Sequence, residues 1–130
     1  MTIVQHFVGG AHSSDGSRQS NVFDPNTGQI ARQVPLGDAA LLDKAVAAAL
    51  TAQPGWAHTN PQRRARVMFR FKELVEAHME ELALLLSSEH GKVVADARGD
   101  VQRGLDVIEY ACGIPHLMKG EYTEGAGPGI

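Results

Sequence analysis

A single cysteine, Cys112, stands among the 130 residues, which excludes an internal disulfide and suits a reducing compartment. Aromatic residues are scarce, at 5% against 43% apolar residues overall, so a core has to be built largely from Leu, Val and Ala. Positive charge is not in excess. The 12 Lys and Arg against 15 Asp and Glu leave a formal charge of −3, which argues against a dedicated nucleic-acid or anionic-membrane binder. No apolar run approaches the ~18 residues that a bilayer-spanning helix requires. The opening stretch, Met1 to Val8, lacks the basic start and long apolar segment of a secretory signal. A cytoplasmic protein is the simplest expectation. Charged residues make up 21%, too moderate a share for a disordered chain, and the length suits at most one domain of ordinary size.

What is present divides into a strand-rich first third and a helical remainder. Residues Ile3 to Ser14 alternate loosely and pivot on Gly9-Gly10, the pattern of a short strand pair with a tight turn. Asp24-Pro-Asn-Thr-Gly28 is a second turn, with Pro fixing φ at its start and Gly supplying freedom at its end. Apolar residues on either side, Val22 before it and Ile30 and Val34 after it, predict a hairpin that needs a packing partner to be stable.

From Asp38, a helix-capping residue, the period becomes helical. Leu42, Val46 and Leu50 recur every four residues until Pro54-Gly55, where the run is expected to end. Asn60-Pro61 restarts it, and Met68, Phe71 and Val75 are assigned to one face of the second helix, with Leu74 at its margin. A third run, Met79 to His90, carries Leu82, Leu85 and Leu86 and stops at Gly91; it could be continuous with the second. A fourth, from about Val94 to Gly113, places Ala97, Val101, Leu105, Ile108 and Ala111 on one stripe. The organisation expected is α+β: strands and hairpin over 1–37, about four helices over 38–119, and a glycine-rich linker over 120–130.

Few side chains point to chemistry. Cys112 falls near the carboxyl end of a helix, where the macrodipole opposes a thiolate, so it reads as a small buried hydrophobe and no catalytic residue is assigned. The histidines (His6, His12, His58, His78, His90 and His116) lack metal-ligand spacing, and no metal site is expected. His78 is expected half-buried in packing, and His90 suits a helix carboxyl end. Arg63, Arg64, Arg66, Arg70 and Lys72 form a basic run, but Glu73, Glu76, Glu80 and Glu81 follow at once, which describes a solvated face or subunit contact. Gly9-Gly10 and Gly125-Ala-Gly127 lack the strand-to-helix setting of a phosphate cradle, so no cofactor-binding residue is assigned. Arg103 is the remaining candidate. On its own helix it can pair with Asp106, Asp96 or Asp100.

Three patches resemble the aldehyde dehydrogenase superfamily. Val22-Phe-Asp-Pro-Asn-Thr-Gly-Gln-Ile-Ala-Arg-Gln-Val-Pro-Leu36 is similar to its amino-terminal hairpin. Pro61-Gln-Arg-Arg-Ala-Arg66 and Ser88-Glu-His-Gly-Lys92 resemble its early helices. Gly99-Asp-Val-Gln-Arg-Gly-Leu-Asp-Val-Ile-Glu-Tyr-Ala-Cys112, with Leu117-Met-Lys-Gly120, is similar to the CoA-acylating methylmalonate-semialdehyde branch. The resemblance covers nearly the whole chain and only about the first quarter of a complete member. It implies an α+β fragment of the aldehyde dehydrogenase fold without its Rossmann-like core, and a parent that oxidises methylmalonate or malonate semialdehyde with NAD and CoA. In that parent the residue matching Arg103 holds the substrate carboxylate. The nucleophilic cysteine, the general base and the nucleotide-binding strands fall beyond residue 130, so no cofactor is expected to bind the fragment alone and the fragment is not expected to be catalytic. The partners implied are the rest of the same subunit and a homo-oligomer, with no nucleic acid and no membrane. The alternative is a stand-alone interaction or oligomerisation module from a truncated or split gene.

Overall fold

A computed structural model describes residues 2–121 and 127–129. The strand-rich third forms two small sheets. β2 (His6–Val8) and β3 (Ala11–Ser13) make the expected tight hairpin, with Gly9 and Gly10 at φ of 61° and 83° between them. Two successive positive φ values belong to the primed turn whose twist matches that of paired strands, which is why two glycines stand there. β4 (Arg18–Phe23) and β5 (Ile30–Leu36) form the second hairpin, antiparallel with a bulge between Val22 and Phe23. Its turn is closed by Asp24, whose Oδ1 accepts from the backbone N–H of Asn26 at 2.7 Å, and by Gly28, whose N–H donates to the Asp24 carbonyl at 2.8 Å. β1 (Thr2–Ile3), which precedes the first hairpin, runs parallel to β5, giving a three-stranded sheet in the order β1-β5-β4. That parallel pairing has no signal in the sequence.

Helix α1 (Ala39–Ala57) starts where Asp38 accepts from the Leu41 N–H at 2.9 Å. It does not end at Pro54-Gly55 as expected. Pro54 sits in its last turn, where it forfeits the hydrogen bond to the Leu50 carbonyl and crowds that carbonyl. The carbonyls of Pro54 and Gly55 then receive side-chain donors, His58 Nδ1 at 2.7 Å and Thr59 Oγ1 at 2.8 Å, which close the helix three residues later than the sequence suggests. α2 (Pro61–Ala77) follows the Asn60 cap, and a break at His78 (φ −106°, ψ 18°) separates it from α3 (Met79–His90). Gly91, at φ 82°, ends α3 in the left-handed conformation. α4 (Val94–Cys112) has the predicted length, and a single further turn, α5 (Ile114–Leu117), extends the helices beyond the four expected.

The core lies where α2 and α3 pack on α4. Ala65, Ala83, Ala97, Leu105 and Cys112 are buried, with Ala83 and Ala97 fully enclosed. A fully buried alanine on each of α3 and α4 suits a close approach of the two helices. The α4 stripe of Ala97, Val101, Leu105, Ile108 and Ala111 faces this core as predicted. On α2 the inward set is Ala65, Met68 and Val75; Phe71, assigned to that face, is 47% exposed because the buried stripe is rotated toward Ala65. The second hairpin is fastened to α3 by an Arg32–Glu89 ion pair and by its Pro25 lying against Gly91. No described helix is long and apolar enough to cross a membrane. The glycine-rich stretch 120–130 lies largely outside the described residues.

Candidate functional site

Helix α4 presents two arginines in opposite circumstances. Arg98 reaches back to α3 and grips Glu80 with two hydrogen bonds, Nε to Oε1 at 2.6 Å and Nη2 to Oε2 at 2.8 Å. This planar fork meeting a carboxylate cross-links the two helices, holds the Glu80 carboxyl below its ordinary range and raises the Arg98 guanidinium above its own. Arg98 is thereby committed to structure. Arg103 stands on the face of α4 turned away from Leu105 and Ala97, with its side chain 67% exposed. Of the three carboxylates within helical reach, Asp100 is its partner, accepting at Oδ1 from Nη2. Asp106 is taken by Gln102, whose Nε2 donates to it at 2.9 Å, and Asp96 by Lys92.

Lys92 is the hub of this face. Its side chain is only 16% exposed, and its ammonium meets Asp96 at 2.8 Å and also Oδ2 of Asp100. The hydrogen bond from Lys92, then its charge, lowers the pKa of Asp96 and favours its ionised form. Lys92, Asp96 and Asp100 recur at intervals of four in the sequence; that spacing is the signal that could have identified Lys92, which sequence reasoning left out. The guanidinium of Arg103 lies over Gly99, where an added Cβ would sit 3.7 Å from Nη1. A row of alternating charges thus ends in an arginine fork at the surface.

The other candidates are settled by their surroundings. Cys112 is buried at the last residue of α4, as expected of a packing thiol. His78 is not half-buried; it is exposed at the junction of α2 and α3, where its Nδ1 lies 2.9 Å from Glu81. His90 closes α3 beside Gly91. The basic run of α2 divides. Arg70 pairs outward with Glu73 at 2.8 Å, whereas Lys72 turns toward α4 and meets Glu109 at 3.4 Å and Glu76 at 3.6 Å, which raises its pKa. Arg64 also turns inward and borders an apolar cleft of 130 Å³ with Trp56, Met68, Ile114 and Met118.

A dinucleotide does not fit the residues described. The helix that follows a strand, α1 after β5, has its first-turn N–H bonded to the Asp38 carboxylate, a negative charge where a phosphate would have to sit. The longest parallel pairing, β1 with β5, is two residues long.

Comparison with known proteins places these features. The profile of the Aldehyde dehydrogenase family matches residues 12–129. The malonate-semialdehyde dehydrogenase of Pseudomonas aeruginosa is 42% identical over 130 residues, which is 100% of this chain and 26% of that protein. The methylmalonate-semialdehyde dehydrogenase of Oceanimonas doudoroffii superposes with a TM-score of 0.92 at 46% identity, over 99% of this chain and 26% of its own. A Sinorhizobium meliloti protein, provisionally named a methylmalonate-semialdehyde dehydrogenase and complexed with NAD, gives a TM-score of 0.89 at 52% identity, over 99% of this chain and 26% of its own. This chain therefore spans about a quarter of the length of the relatives it matches.

Proposed function

The chain belongs to the aldehyde dehydrogenase family, and from that premise we propose that it forms the amino-terminal part of an NAD-dependent, CoA-acylating dehydrogenase of malonate or methylmalonate semialdehyde. In that enzyme this stretch supplies one substrate contact, Arg103. The nucleophile, the general base and the sites for NAD and CoA lie on the remainder of the polypeptide, and no step performed by this chain's own residues runs through either cofactor.

The observation that carries the reading is the contrast between the two arginines of α4, one with its fork consumed by Glu80 and one exposed with a single Nη2 engaged. A malonate-type semialdehyde has a carboxylate at one end and the reacting carbonyl at the other. Binding the carboxylate on a permanently charged planar fork restrains the rotation of the substrate and aims its carbonyl. It also separates such substrates from plain aldehydes, which offer the fork nothing. Names of relatives sharing 42% and 46% identity support the substrate class, and the relative complexed with NAD supports the oxidant.

The partner of this stretch is the rest of the same subunit, and the assembled enzyme is a cytoplasmic homo-oligomer. The α1 stripe of Leu42, Val46 and Leu50 supports the first point, since those side chains are 64%, 49% and 66% exposed. Arg103→Leu in the complete dehydrogenase tests the substrate role. Loss of a charge-assisted bidentate contact predicts a roughly 10- to 100-fold rise in KM for malonate semialdehyde, with a much smaller change for propionaldehyde. Equal losses for the two aldehydes would leave Arg103 a structural residue and remove the proposal.

A further inference from the structure

We propose that Asp100 is a positioning residue that, anchored by Lys92, holds the Arg103 guanidinium over Gly99 in the orientation that receives the substrate carboxylate. The proposal rests on the reading of Arg103 as the carboxylate contact and asks what makes that contact specific.

An arginine whose side chain is 67% exposed samples many rotamers, and the freedom it loses on meeting a substrate weakens binding. Here much of that freedom is already gone. Asp100 takes Nη2 through Oδ1, and it cannot swing with the arginine because its other oxygen, Oδ2, is held by Lys92. Lys92 is in turn fixed by its low exposure and by its 2.8 Å contact with Asp96. Nη1 lies beside Gly99, where an added Cβ would make an ordinary van der Waals contact at 3.7 Å. Only Asp100 touches both cations.

Charge decides whether such a partner helps or competes. A lone aspartate clamped on Arg103 would neutralise the guanidinium and oppose an incoming carboxylate. Asp100 is shared: two cations, Lys92 and Arg103, face two anions, Asp96 and Asp100. The aspartate's charge is divided between Lys92 and Arg103, and among the described residues Nε and Nη1 of Arg103 have no hydrogen-bond partner. The fork is restrained at one corner and open at the others.

The test uses the complete dehydrogenase, with NADH formation followed on malonate semialdehyde and on propionaldehyde. Asp100→Asn and Asp100→Glu are each made alone and together with Arg103→Leu. The readout is the ratio of kcat/KM for the two aldehydes, which a general loss of folded enzyme does not move. Asp100→Asn is expected to lower this ratio about 5- to 10-fold, and Asp100→Glu, which keeps the charge, to restore part of it. In the Arg103→Leu background neither change should lower the ratio further. An unchanged ratio in Asp100→Asn, or an equal fall with and without Arg103, overturns the positioning role while leaving the carboxylate contact standing. A normal ratio in Arg103→Leu alone overturns the contact itself. If Asp100→Asn does not fold, the ratio in Asp100→Glu decides: an unchanged value in a variant whose carboxylate is displaced by a methylene overturns the proposal.

Discussion

Leu105→Ala is the perturbation that tests the packing of the helical segment most directly. Leu105 is the one large aliphatic side chain among the buried residues there, 4% exposed on α4, and its buried companions are Ala65, Ala83, Ala97 and Cys112. Truncation removes hydrocarbon worth about 2–2.5 kcal/mol at ~0.8 kcal/mol per methylene-sized group. The cavity adds to this, because the other buried residues of this core, three alanines and a cysteine, are too small to fill it. A total of about 3–4 kcal/mol follows, within the range of Leu→Ala changes at sites that cannot collapse. Native stability of a small domain is ~5–15 kcal/mol, so a large fraction would be lost. Urea titration of the 130-residue chain, followed by far-ultraviolet circular dichroism, reads the effect. With a slope of ~2 kcal/mol/M the midpoint should fall by roughly 1.5–2 M. Val107→Ala on the same helix, at a residue 68% exposed, is the control and should change stability by no more than about 0.5 kcal/mol. A Leu105→Ala midpoint within ~0.5 M of the parent, at unchanged slope, would refute the assignment of Leu105 as the centre of this core.

Acid should weaken the α3–α4 pairing in a defined direction. Glu80 and Asp96 have folded-state pKa values lowered by hydrogen bonds from Arg98 and Lys92. The stability they contribute is therefore complete above the ordinary carboxylate range of about 4 and is lost as pH falls through their lower folded-state values. A melting-temperature series from pH 7 to pH 3 should decline more steeply for the parent than for Glu80→Gln; parallel curves would remove Glu80 from the account. Gly16→Ala should destabilise by about 1–3 kcal/mol in the same urea assay. Gly16 has φ of 137°, and a Cβ there would stand 2.7 Å from the backbone oxygen of Leu36, which cannot move without disturbing β5. A neutral result would contradict that close approach.

Local chemistry made most of the elements legible in advance. Asp38, Asn60 and Gly91 act on their own neighbours, and each caps its helix where the sequence places it. Asp24 to Gly28 closes its turn through contacts within five residues. Failures came where distant or compensating groups decide. Pro54 is kept helical by side-chain donors from His58 and Thr59, which no proline rule contains. β1 is defined by a partner some thirty residues away, and its two residues carry no pattern. Helical spacing puts His78 on an apolar face, but the helix breaks at that residue and turns it outward toward Glu81. At the candidate site, the resemblance pointed to Arg103 and helical spacing named its possible partners. Choosing Asp100 among them required knowing that Gln102 and Lys92 occupy Asp106 and Asp96.

Helix α1 shows what periodicity does and does not encode. Its stripe of Leu42, Val46 and Leu50 is the clearest repeat in the chain, and it is also among the most exposed apolar sets, at 64%, 49% and 66%. Helix α4 has an equally regular stripe, and there Ala97 and Leu105 are buried. Both patterns satisfy the same helical spacing, so spacing alone could not distinguish them. The difference lies in what each stripe meets: α4 faces α2 and α3, whereas α1 lies beside the first hairpin through Ala45, Ala48 and Ala49 and through the Lys44–Asp15 ion pair, leaving Leu42, Val46 and Leu50 largely exposed. A repeat specifies that a face is chemically fit for burial and is silent about which surface buries it. The chain matches about a quarter of the length of its relatives, and no described element covers the α1 stripe. Under the proposed function, the uncovered α1 stripe and the open fork of Arg103 belong to one account: the first would meet the rest of the subunit and the second the substrate carboxylate.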